Sequence, residues 1–122
     1  MPQYFLSLPH DSAAEPTMEN IDPAELQQLM AEVGAFNNAL VEAGAFVTAG
    51  GLQPPSSATT VDYSGDSPVL TPGPFVKADE YLGGFWIIKA ENDDVAIEWT
   101  KQASRALRSR VEVRALQEEP GA

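Results

Sequence analysis

The chain contains no cysteine, which excludes a disulfide framework, a Cys nucleophile and a Cys-ligated zinc. Histidine occurs once, at His10, and no Gly-x-x-x-x-Gly-Lys or Gly-x-Gly-x-x-Gly loop opens a helix, so neither a bound metal nor a nucleotide cofactor is expected. Positive charge is scarce. Lysine and arginine total 7 against 18 acidic residues, a net charge of -11, and a phosphate backbone is bound mainly by cations, which argues against nucleic acid. No apolar run reaches the ~18 residues of a membrane helix. The start, Met1-Pro2-Gln3-Tyr4-Phe5-Leu6-Ser7-Leu8, has no basic n-region and too short an apolar core for a secretory signal. A cytoplasmic protein is the expectation.

What is present is enough for one globular domain over residues 1–122, with 43% hydrophobic residues. Five of the seven basic residues (Lys101, Arg105, Arg108, Arg110, Arg114) fall near the end of the chain. Lys101, Arg105 and Arg108 sit where a helix C-terminus would favour cations through its macrodipole; a small-anion site is the alternative.

The pattern along the chain alternates between strand and helix. Tyr4 to Leu8 reads as a strand, and Pro9 to Asn20 as a polar, acidic loop. Asp22 is a good N-cap, Pro23 suits the first helical position and Glu25 has capping-box spacing. Leu26, Leu29, Met30, Val33, Phe36, Leu40 and Ala43 then form one stripe, and Gly44 is placed to end the helix. Ala45 to Thr48 reads as a short strand that breaks at Gly50-Gly51. Thr59 to Tyr63 and Pro68 to Leu70 flank Ser64-Gly65-Asp66-Ser67 as a hairpin. Gly84 to Ala90 is a strand, and Asn92 or Asp93 can cap a second helix carrying Val95, Trp99, Ala103 and Leu107. Arg110 to Leu116 closes as a strand with Val111 and Val113 on one side and Glu112 and Arg114 on the other.

That order is a βαββαβ plan with an inserted hairpin, hence ferredoxin-like α+β. Right-handed crossovers put both helices on one sheet face. In Phe85-Trp86-Ile87-Ile88, residues 85 and 87 point one way and 86 and 88 the other, and all four are large and apolar. Leaving such side chains in water forgoes roughly 1.5–3 kcal/mol each. The face without helices therefore needs a cover, and a second copy of the sheet is the economical one.

Four blocks carry a resemblance: Gly51-Leu52-Gln53-Pro54-Pro55-Ser56-Ser57-Ala58-Thr59-Thr60-Val61, Gly73-Pro74-Phe75, Leu82-Gly83-Gly84-Phe85 and Val111-Glu112-Val113-Arg114. In this order they resemble the DGPF-type branch of the YCII-related proteins. The resemblance implies a ferredoxin-like subunit that pairs into a dimeric α/β barrel, a homodimer, in a family whose members are mostly of unknown function. Some members are fused to, or encoded near, sigma-factor-like regulators, and some relatives in the wider superfamily are cofactor-independent enzymes acting on small aromatic compounds. Two departures stand out. Pro72 replaces the aspartate that gives the branch its name. Better-studied YCII-related members carry a histidine on the first helix that pairs with an aspartate; Val33 falls at that position here, so the His–Asp dyad is missing and its chemistry does not transfer.

The candidate site residues each have a plain alternative. His10, beside Asp11 after the first strand, is a candidate base, or a solvated loop residue. Asn37 and Asn38 are poor helix formers, and either one of them points an amide into a cleft or both sit at exposed helix positions that tolerate Asn. Asp93-Asp94 resembles half a metal site, but a helix N-terminus explains the pair without one. Ser57, Thr59 and Thr60 lack a nearby base. Phe75 and Tyr81 are the leading ligand contacts: Pro72 and Pro74 stiffen the turn, Gly73 takes conformations closed to other residues, and Gly83-Gly84 permits close approach by a ligand or another backbone. The alternative is that Phe75 plugs a barrel end or dimer seam. The reading is a small-molecule-binding homodimer with its cleft near Gly73-Pro74-Phe75. The competing readings are a cofactor-independent lyase or isomerase on a small aromatic or polyketide-like compound, and a regulatory module linked to transcription.

Overall fold

The computed structural model describes residues 1–10, 22–75 and 81–117. Strand β1 runs Gln3–His10, further than the sequence pattern suggested. Its pairing with the neighbouring strand shifts register between Leu8 and Pro9. Pro9 lies beyond Tyr4 to Ser7, the segment laddered to the strand on the other side, so its missing N–H is tolerated there.

Helix α1 spans Pro23–Glu42, with the Asp22 side chain accepting from the Ala24 amide at 3.3 Å. It stops at Gly44, whose φ of +70° is open to glycine at little cost. Only the C-terminal half of the expected stripe is deeply buried, at Phe36 and Leu40. Met30 is 62% exposed and Ala43 is exposed too. The N-terminal turns of α1 therefore extend past the sheet they were expected to cover.

Strand β2, Phe46–Gly51, passes straight through the glycine pair where a break was expected. Close approach explains it. A Cβ on Gly84 would stand 3.3 Å from the Gly50 carbonyl oxygen, and one on Gly50 would stand 3.3 Å from the Phe85 ring. The backbone closeness expected at Gly83-Gly84 is thus met by β2 and not by a ligand. Pro55–Ser57 makes one 3-10 turn, followed by β3 (Thr59–Asp62) and β4 (Val69–Pro72). Pro72 ends β4 opposite Thr59, so the second strand of the hairpin starts one residue later and ends two later than the sequence indicated.

Strand β5, Tyr81–Lys89, starts before the glycines. Helix α2, Asp93–Leu107, is capped by Asn92, whose side chain accepts from the Val95 amide at 3.0 Å. Its buried stripe is Ala96, Thr100 and Ala103, with Trp99 and Leu107 at the margin and Val95 out in solvent. Arg108, with a left-handed φ of 54°, ends it, and β6 is Glu112–Ala115.

The four long-paired strands form one antiparallel sheet in the order β2-β5-β1-β6; β3 and β4 form a separate two-stranded sheet. This is a mixed α+β fold of two interleaved β-α-β units. The sheet is open, with β2 and β6 as edges, and no closed barrel occurs among the described residues. Both helices lie on one face. There Tyr4, Leu6, Trp86 and Ile88 pack with Phe36, Leu40, Ala96 and Ala103. Leu6, Leu40 and Ile88 have no exposed surface, which stabilises the fold by about 1.5–3 kcal/mol apiece. Phe36 meets Trp86 edge-on at 5.2 Å and Trp99 at 6.3 Å. Among the described residues, no helix is long and apolar enough to cross a membrane.

Candidate functional site

The pairing register assigns the opposite face residue by residue. One row across the sheet is Thr48, Ile87, Phe5 and Arg114; the next is Gly50, Phe85, Ser7 and Glu112. The middle of this surface is apolar and carries no helix. Phe5 and Phe85 stack at 5.6 Å with rings 14° apart, which shields part of each ring from water without a covering layer.

At the end of this face nearest the start of β5 lies a cleft of about 480 Å³. Phe5, Ser7 and Leu8 line it from β1, Tyr81 and Leu82 from β5, and Arg110, Glu112 and Arg114 from the segment around β6. The volume falls in the range of a small-ligand site, with an aromatic floor and a few polar groups around it. Arg114 Nε donates to Glu112 Oε1 at 2.8 Å; both side chains are well exposed, so the pair orients the rim more than it stabilises the fold. A broader groove of about 640 Å³ runs between the helices over Phe36, but its Arg108 leans on Glu32 at 3.5 Å and its floor is mostly alanine.

The sequence-derived candidates separate in space. Tyr81 lines the cleft. His10 is its register partner across β1 and β5, which brings the His10 backbone to the same end of the sheet. Asp11 lies outside the described residues. Asn37 is on the far side of the sheet: its Oδ1 accepts from the Trp86 indole N–H at 2.8 Å. Its amide satisfies a mostly buried donor in the helix layer, which is a packing role. Gly73 and Phe75 do not line the cleft either. Gly73 adopts φ +103°, a conformation closed to most other residues. Its amide donates to the Ala58 carbonyl at 2.7 Å and its carbonyl accepts from Thr60 Oγ1 at 2.9 Å. The turn is therefore fixed to the hairpin, and Phe75 projects from it 88% exposed.

Phe5 and Glu112 were not candidate site residues in the sequence, and Arg110 and Arg114 entered only as members of the basic cluster near the end of the chain. Alternation in Val111-Glu112-Val113-Arg114 places Glu112 and Arg114 together, yet only the β1–β6 register shows that they flank Phe5 and Ser7. Opposite them, at the helix face, Tyr4 donates its hydroxyl to Asp93 Oδ1 at 2.8 Å. That hydrogen bond, then desolvation and the nearby carboxylate charge, raise the Tyr4 pKa above its ordinary value. Asp93 is thereby occupied as an acceptor, and no cluster of three or more His, Cys, Asp or Glu suited to a metal occurs among the described residues.

Residues 5–119 match the YCII-related domain. The chain belongs to the YCII-related family. It is also 31% identical over 82 residues to an uncharacterised protein of Rhizobium meliloti (strain 1021), across 67% of this chain and 66% of that one. The chain thus spans slightly under two thirds of that relative's length. Within this YCII-related chain, Val33 is partly buried and packs against the core that holds Phe36 and Leu40.

Proposed function

We propose that this YCII-related chain, of the DGPF-type branch, is a ferredoxin-like subunit that pairs with a second copy across the open sheet face and binds a small organic molecule in the cleft beside Tyr81. One observation carries this reading: the 480 Å³ cleft joins the aromatic rings of Phe5 and Tyr81 to a charged rim on an uncovered face. A flat apolar ligand with an acidic group suits that arrangement, its body against Phe5 and its charge toward the rim beside Arg114 of β6. The strand order β2-β5-β1-β6 supports the ferredoxin-like assignment, and the apolar pair Phe85 and Ile87 supports pairing of two sheets into a dimeric barrel. The cysteine-free composition supports a cytoplasmic setting.

The binding reading is preferred to a lyase or isomerase because Glu112, the carboxylate among the described residues of the cleft, is exposed and ion-paired to Arg114. A general base must reach the proton it abstracts, and Glu112 Oε1 already accepts from the Arg114 guanidinium. The transcription-linked module has no comparable feature behind it.

Backbone-amide NMR with benzoate and phenylacetate tests the site. Saturable shifts are expected over residues 5–8, 81–82 and 110–114, weakened about tenfold in Tyr81→Ala, the loss of an aromatic contact of about 1–1.5 kcal/mol. Shifts that stay linear to millimolar ligand, or that map to the helix groove, would remove the assignment.

A further inference from the structure

The β3–β4 hairpin has the residue pattern of a half-buried sheet, but its apolar half faces water. The register pairs Thr59 with Pro72, Thr60 with Thr71, Val61 with Leu70 and Asp62 with Val69. Alternation then puts Val61, Leu70 and Pro72 with Thr59 on one side, and Thr60, Thr71 and Asp62 with Val69 on the other. Val61 is 60% exposed and Leu70 63%, with Tyr63 and Phe75 beyond them at 65% and 88%. Uncovered two-stranded hairpins are marginal in water. This one is nonetheless pinned at its base by the Gly73 bonds to Ala58 and Thr60, and near its tip by Asp62, which accepts from the Ser64 amide and hydroxyl. A rigid arm with an uncharged apolar face is built to be covered.

We propose that the β3–β4 arm clasps a second copy of this chain, laying Val61, Leu70 and Phe75 on the partner subunit while the partner's arm does the same in return. This rests on the sheet-to-sheet pairing proposed above and says what completes it. The reason is area. Five residues of four strands cover about 17 Å by 19 Å, roughly 320 Å² of footprint. Even doubled for side-chain relief, that falls short of the about 800 Å² per partner of a stable interface. The arm supplies further apolar surface on the same chain. A two-fold operator that brings the open faces together makes the exchange reciprocal, so one symmetric contact covers both apolar surfaces. A second copy is favoured over a foreign partner because the clasp face carries no charge, and two chains of -11 each need an apolar contact to overcome their repulsion.

Sedimentation equilibrium of the full chain tests the arm through the double variant Val61→Asp/Leu70→Asp. Both positions are exposed in the subunit, so the far-ultraviolet circular dichroism should match the parent. The dimer dissociation constant should rise at least about 30-fold, the scale of losing an interface hot spot. An unchanged constant in the double variant overturns the clasp and leaves sheet pairing standing; a parent that is monomeric at micromolar concentration overturns both. A second measurement needs no stability comparison. A benzophenone carried on Leu70→Cys, the sole cysteine in the chain, is photolysed in a mixture of ordinary and 15N-labelled chains. Adducts joining light and heavy peptides support the clasp, and adducts confined within one chain overturn it.

Discussion

Strand β5 carries two pairs of large apolar residues one position apart, and they lead different lives. Trp86 and Ile88 are buried beneath both helices, while Phe85 and Ile87 remain half-exposed on the face without them. Their chemistry is alike, so hydrophobicity does not separate them. Chain handedness does: both β-α-β crossovers return their helices to the same side. Alanines at 45, 90, 96 and 103 then let that layer approach closely. The open side has no such layer, and Phe5 and Phe85 stack on one another instead.

The largest test of this contrast is Trp86→Ala. It removes a buried indole and strands the Asn37 carbonyl, so a loss of about 3–5 kcal/mol is expected from denaturant unfolding. Phe85→Ala, a ring of similar class one residue away, should cost the isolated subunit only about 1–2 kcal/mol for partial burial and one stacking contact. Measured at nanomolar concentration, equal losses for the two variants would mean that the faces are equivalent and the open side is already filled. Repeated at rising concentration, the gap between parent and Phe85→Ala should widen, because association on that face stabilises only chains that keep it.

Much of this contrast was legible in sequence. Alternation in Phe85-Trp86-Ile87-Ile88 separates the faces, and Asp22-Pro23, Gly44 and Asn92 mark helix ends that the structure keeps. Less legible was anything set by partners distant in the chain. The Gly50-Gly51 pair reads as a break until β5 is laid beside it and the Phe85 ring needs the room. Asn37 reads as a cleft residue until Trp86, 49 positions later, claims its amide. Likewise the cleft gathers Phe5, Tyr81 and Arg114, and their meeting depends on two registers that no local pattern specifies. Tyr81 was named because its neighbours are distinctive; Arg114 was named only within a basic cluster, because charged residues on an edge strand are ordinary.

On the covered face, Tyr4 gives the contrast a pH signature. Its phenol is neutral while donating to Asp93, and the bond raises its pKa above the ordinary value near 10. The folded chain thus holds this proton more tightly than the unfolded chain. The contribution is intact below the unfolded value and is lost as pH rises through the folded one. Urea midpoints between pH 8 and about 11.5 should fall more steeply above about pH 10 in the parent than in Tyr4→Phe. Parallel curves would show that the Tyr4–Asp93 bond does not persist in solution. Phe5, the next residue, points to the open face, and Phe5→Leu should leave the alkaline slope of the parent unchanged.

The smallest effect is expected at Phe75, the most exposed of the described aromatics. Its turn is rigid without it: Gly73 at φ +103° is bonded to Ala58 and Thr60, and Pro74 fixes the next φ. The ring is 88% exposed, so truncation removes little buried area from the subunit. At nanomolar protein, Phe75→Ala should therefore unfold within about 0.5 kcal/mol of the parent, as ordinary surface substitutions do. A loss above about 3 kcal/mol under those conditions would place the ring in a core, and Phe75 would then belong with Trp86 instead of Phe85. At micromolar protein the outcome should change, because a ring laid on a second copy contributes to association and not to the fold of one chain. A stability loss that appears only as concentration rises is the signature expected of an arm residue. If the loss is instead the same at both concentrations, Phe75 acts within its own subunit, and the open face must be covered without it.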